Sequence, residues 1–212
     1  MEDDPLDKVG PFAGYALTQG GTGMEKLDLT NMFLDAMSNY WAGWTLTERS
    51  RNEDARWFIM PSIILTALSL EIFFKLLIID SKNTYGRIHE LNELWPLIDA
   101  DKQNRIRAYA TPLLIQTAQK NDADFAKYGI TGMEHPSDFD ECLELSSYAF
   151  EKLRYMYEWP KQKHREGWHA GPIVWAAAKV VLDLHPEWKN WRGAPRFQPM
   201  TSPDTPPTSP TP

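Results

Sequence analysis

Between Trp57 and Ile79, 17 of 23 residues are apolar, a density that leaves two destinations for the segment: a bilayer or the centre of a protein core. The exceptions decide between them. Pro61, Ser62, Thr66, Ser69, Glu71 and Lys75 interrupt the run, and each of the two charges would cost about 2.5–3.5 kcal/mol near a membrane centre. The flanking segments carry no basic asymmetry, and the opening "MEDDPLDKVG" has neither an apolar signal core nor a basic amphipathic character. The run therefore reads as a buried central helix, and no membrane contact is expected. Cys142 is the single cysteine of the 212 residues. It excludes an internal disulfide and fits a reducing, cytoplasmic setting.

A helical period governs the rest. Leu29, Met32, Phe33, Ala36, Met37, Tyr40, Trp41 and Trp44 recur at three- and four-residue steps, which predicts an amphipathic helix. The apolar run predicts a second helix from Asn52–Asp54 to Ile79, kinked or divided at Pro61. A turn at "SKNTYG" leads to a short helix over His89–Trp95, and another helix is expected from Asp99 to Gln119, bent at Pro112. The polar "KNDADFAKYGITGMEHPSD" reads as a connection. Ser137 with Asp140 resembles a capping box opening a long helix to Pro160, with Phe139, Cys142, Leu143, Ser146, Ala149, Phe150, Leu153 and Tyr157 on one face. Gly171-Pro172 opens a last helix that His185-Pro186 closes. No alternating run is long enough for a sheet. The expectation is an all-α bundle of five to six helices over residues 27–191. Residues 1–26 read as a flexible N-terminal arm. Residues 192–212, with seven prolines from 193 onward, read as a disordered Pro-rich tail.

Chemistry is sparse. Gly20, Gly21 and Gly23 follow no strand and precede no Gly-Lys-Ser/Thr, so they form no phosphate cradle, and no cofactor is expected. Glu71 and Lys75 lie four apart on one helix face, and ionised groups in a core need partners. Arg154 and Glu158 repeat the spacing on the long late helix. A cross-helix network is expected, with Glu71 meeting Arg154 and Lys75 meeting Glu158. The competing reading places each pair on its own solvated face.

The order "ALSLEIFFKLLI", a turn, "IHELNELWPLI" and then "SSYAFEKLRYMYEW" resembles the HEPN superfamily of helical bundles. Members often carry Glu and Lys one turn apart, followed by His-x-Leu-x-x-Leu, here His89, Leu91 and Leu94. The resemblance spans about residues 55–159. It implies a homodimeric bundle, either a metal-independent ribonuclease in toxin, defence or RNA-processing systems or a non-catalytic binding module of that setting. Active members resemble one another in Arg-x4–6-His, where arginine holds the scissile phosphate and histidine moves the proton of the 2′-hydroxyl. After Arg154 the corresponding positions hold Trp159, Pro160 and Lys161. A degenerate, non-catalytic interaction module is the expectation. An active enzyme would need Arg154 with a displaced loop histidine, His164 or His169.

That loop, "WPKQKHREGWHAG", gathers Lys161, Lys163, His164, Arg165 and His169 between and beside Trp159 and Trp168, in a chain of net charge −7. Cations interleaved with aromatics suit a phosphate backbone with unstacked bases, so the loop is the candidate RNA contact. A plain solvated loop, or a face for a protein partner, is the alternative. His164 and His169 lack an acidic third ligand at a recognisable spacing, so no metal is expected. Cys142, on an apolar stripe, reads as a buried inert thiol. His135 and His185 stand before prolines with no visible role, and His89 reads as a helix-start residue bonding backbone or a neighbouring side chain.

Overall fold

The computed structural model describes residues 28–50, 58–82, 87–127, 135–147 and 170–190. Among them every regular element is helical. α1 is Leu29–Ser50, α2 Ile59–Lys82, α3 Leu91–Leu94, α4 Ala100–Lys127, α5 Phe139–Ser147 and α6 Ala170–Leu184; 3-10 turns cover Trp95–Leu97 and Pro186–Asn190. The fold is all-α.

α2 is the centre of the bundle. It packs along α1 in the most extensive pairing, and it also meets α3 and α6. Its polar interruptions have structural partners. Ser62 donates to the Ile59 carbonyl at 2.6 Å, Thr66 to the Ser62 carbonyl at 2.7 Å, and buried Ser69 to the Ala36 carbonyl of α1 at 2.7 Å. A Cβ placed on Gly43 of α1 would stand 2.7 Å from Thr66 Oγ1 and 2.9 Å from the Ser62 carbonyl oxygen. The two backbones approach too closely there for any side chain. By length and composition α2 could cross a membrane, yet 67% of its most apolar window is buried inside the bundle.

Pro61 occupies the third position of α2, in its first turn, where a proline is well tolerated; the expected start at Asn52–Asp54 lies outside the described residues. α4 runs eight residues beyond the expected Gln119, through the first part of the predicted connection, to Lys127. Pro112 leaves the Ala108 carbonyl without a helical donor, but both residues face solvent, where water can take that role. α6 is buried almost all round, with Ile173, Val174, Ala176, Ala177, Ala178, Val180 and Val181 fully enclosed. Beyond it the closing 3-10 turn brings Trp188 to 5.1 Å from Phe33, which itself packs edge-on against Phe73.

Asp138, not Ser137, caps α5: its Oδ1 accepts from the amides of Asp140 and Glu141 at 2.9 and 3.0 Å. Asp138→Ala should cost about 1 kcal/mol, and Ser137→Ala almost nothing; equal losses in urea melts would reject this assignment. Cys142, one turn on, is fully buried, and burial pushes its thiol up to about 12. The native protein should therefore resist iodoacetamide at neutral pH and react only once denatured. Rapid native alkylation would mean that α5 opens readily.

The resemblance to Arg-x4–6-His, the long helix past Ser147, the loop and both tails fall on residues 148–169, 1–27 and 191–212, outside those described.

Candidate functional site

The charges of α2 turn inward at its C-terminal half. Glu71 and Lys75 are both buried, at 5% and 8% exposure, and Lys75 Nζ donates to Glu71 Oε1 at 2.7 Å. The same oxygen lies 2.9 Å from His89 Nδ1. His89 stands two residues ahead of α3, and its side chain remains 57% exposed while Glu71 is sealed beneath it. A carboxylate beside an imidazole orients the ring, and more than half of this side chain stays open to solvent. Chemically, such a pair can orient a proton-moving or hydrogen-bonding group at the surface.

α3 supplies the floor. Glu90, extended at φ −76° and ψ 124°, gives its helix no side-chain cap. Ser147 of α5 takes that role: its hydroxyl oxygen accepts from the Asn92 amide at 3.0 Å and donates to Asn92 Oδ1 at 2.7 Å. Leu91 and Leu94 are buried below, so His-x-Leu-x-x-Leu divides into one outward group and two inward anchors.

The expected cross-helix network involves Arg154 and Glu158, outside the described residues. Among the described residues Glu71 meets a lysine one turn away and a histidine across the α2–α3 connection. Trp159, Lys161, Lys163, His164, Arg165, Trp168 and His169 likewise lie outside.

Three polar clusters escaped the sequence reading. Buried Lys102 of α4 closes the C-terminal end of α2, donating to the Leu77 carbonyl at 3.1 Å, to Asp80 Oδ2 at 2.7 Å and to Ser81 Oγ. Ser81 in turn donates to Asp99, and that hydrogen bond, with Lys102 and Lys82 nearby, holds the Asp99 carboxyl below its usual range. Arg107 clamps Asp140 with both guanidinium nitrogens, 4.5 Å over the Phe139 ring and 5.3 Å from Trp95. The hydrogen bonds hold Asp140 low and Arg107 high. On α6, Asp183 gathers Arg105, Tyr109 and Lys179.

The histidines without a visible role have contacts. His135 Nδ1 lies 2.6 Å from Asp122 Oδ1. His185 stacks on Trp188 at 4.0 Å, with Asp80 and Glu187 each 3.3 Å from a ring nitrogen. His135 stands ahead of α5 and His185 between α6 and the closing 3-10 turn, and the only available signal was the acid at Asp122 or Glu187. Among the described residues no three His, Cys, Asp or Glu side chains converge on a metal-sized site.

Compared with protein-family models, curated proteins and solved structures, the chain finds no match in any of the three.

Proposed function

We propose that the protein is a HEPN-like bundle that acts as a homodimeric, non-catalytic interaction module in an RNA-linked stress or defence setting. One observation supports it most. Of the residues on which the first half of the resemblance rests, Lys75 and His89 both bond Glu71, while Leu91 and Leu94 are buried on α3, which packs against α2. Glu71 and Lys75 are used in these bonds, and burial of this depth suits a structural tie better than turnover. The incomplete motif after Arg154 points the same way.

A second reading draws on the 57% exposure of the His89 side chain over its carboxylate. In a metal-independent endoribonuclease, Arg154 would hold the scissile phosphate, and His164, His169 or this oriented His89 would take the 2′-hydroxyl proton.

Light scattering after gel filtration, with a cleavage assay on mixed-sequence RNA in EDTA, tests both. The module reading expects a dimer and intact RNA. A monomer at micromolar concentration would remove the dimer. Cleavage lost in Arg154→Gln and in a conservative change at one of the three histidines, with folding retained, would establish the enzyme instead.

A further inference from the structure

α4, the longest of the described helices, turns an uncharged face to solvent. From Ala108 to Gln119 its exposed residues are Ala108, Thr111, Pro112, Ile115, Gln116 and Gln119. None carries a charge, although 24% of the chain is Asp, Glu, Lys or Arg and such residues ordinarily occupy the solvated side of a helix. The charges that border this face on α4 are Arg105, Arg107, Lys120 and Asp122. Arg105 bonds Asp183, Arg107 bonds Asp140, and Asp122 lies 2.6 Å from His135, while half-exposed Lys120 follows directly on Gln119. Ile115, at 43% exposure, is the most exposed large apolar residue among the described ones.

The same face holds a backbone acceptor. Pro112 brings no N–H to the Ala108 carbonyl, and both residues are exposed. Helical geometry makes the face match itself. At 3.6 residues per turn Ala108, Pro112, Ile115 and Gln119 fall within a sector of about 60°. A second α4 laid antiparallel, with a twofold axis between Pro112 and Ile115, brings the two Ile115 side chains together beside that axis. It also sets Gln119 level with the partner's Ala108, where the side-chain amide can donate to the carbonyl that proline left open. The twofold repeats that bond on the other side.

Charge selects the occupant. Two chains of net charge −7 repel, and a contact without charge adds no like-charged pair at its centre. A nucleic acid would find no cation within this face, and a charged protein segment no counter-ion. One helix pair of this length is smaller than a standard interface, so the complex is a weak, reversible one. We propose that two copies of the chain pair through this face of α4, antiparallel about an axis between Pro112 and Ile115. The inference supplies a surface for the homodimer proposed above and rests on that dimer, but on neither its RNA setting nor its lack of catalysis.

Sedimentation equilibrium of the full chain, from about 1 to 100 μM, tests it by the dissociation constant. Ile115→Lys places a charge beside the axis and should raise that constant about tenfold or more. Gln119→Glu sets an anion against the partner's carbonyl and should raise it about threefold. Both positions are exposed, and melting curves on dilute protein check that each variant folds. Phe58→Lys, at another exposed apolar position, should leave the constant unchanged. Ile115→Cys should be joined into a covalent dimer by a short bismaleimide, with buried Cys142 unreactive. In dilute, monomeric protein the same cysteine should react freely with a maleimide. Protection there would show that another part of the same chain covers α4, and would overturn the proposal. A dimer unmoved by Ile115→Lys, or moved as much by Phe58→Lys, would overturn this inference alone. A monomer at the highest concentration would remove it together with the proposed homodimer.

Discussion

Glu71→Gln is expected to destabilise the protein by about 3–5 kcal/mol, the range for removing one partner of a buried ion pair. For a chain of this size that is a fall in Tm of roughly 6–20 °C. The glutamine keeps the volume and removes the charge. Lys75 Nζ then loses the carboxylate 2.7 Å away, at a site where its side chain is only 10% exposed. Glu71→Leu with Lys75→Met, which removes both charges of the pair together, should cost less than the sum of the two single changes. The non-additivity between single and double variants then measures the coupling directly. His89→Gln, on the exposed side of the same carboxylate, should cost no more than about 1 kcal/mol. A loss below roughly 0.5 kcal/mol for Glu71→Gln would place the cluster in solvent and contradict the central position of α2.

Where one helix face decided the outcome, the sequence was enough. The α1 stripe is such a case: Phe33, Ala36, Met37 and Tyr40 are buried as their spacing requires. The burial of α2 follows from the same reasoning, since its density of apolar groups leaves little solvated face. Errors came where two local signals compete. Ser137 and Asp138 are both good caps, and only the backbone path chooses between them. The polar residues 120–127 read as a loop because their composition is hydrophilic, yet they continue α4 along an exposed flank where polarity is no obstacle.

Half of the candidate site was legible for the same reason. Glu71 and Lys75 are neighbours by helical geometry alone, whereas His89 reaches Glu71 across 18 positions and a chain reversal whose angle no local pattern encodes. Ser147 capping α3 from 55 positions away, and Arg105 reaching Asp183 from 78 positions away, belong to the same class. Such contacts depend on helix packing angles, and those are set by the whole core.

Trp95 offers the sharpest test of that core. It lies within the short 3-10 turn after α3, at 8% exposure, with Phe74 of α2 at 5.5 Å and Phe139 of α5 at 4.9 Å between ring centroids. Its carbonyl accepts from Gln103 at 2.9 Å, which ties the same residue to α4. α2, α4 and α5 therefore meet at this residue beyond the end of α3, with the Arg107 guanidinium of α4 5.3 Å from its ring. Trp95→Ala should cost about 3–5 kcal/mol, the sum of lost transfer energy and the cavity left behind. Trp95→Phe, which keeps an aromatic plane for both neighbours, should cost about 1–2 kcal/mol. The alanine variant should also loosen the Arg107–Asp140 clamp, because the surface on which the guanidinium lies is partly removed. Arg107→Ala should then cost less in the Trp95→Ala background than in the wild type, by about 0.5 kcal/mol or more. Strict additivity of the two changes, or a Trp95→Ala loss under about 1 kcal/mol in urea melts, would show that α3, α4 and α5 do not share this contact. The fold would then need another arrangement around α2.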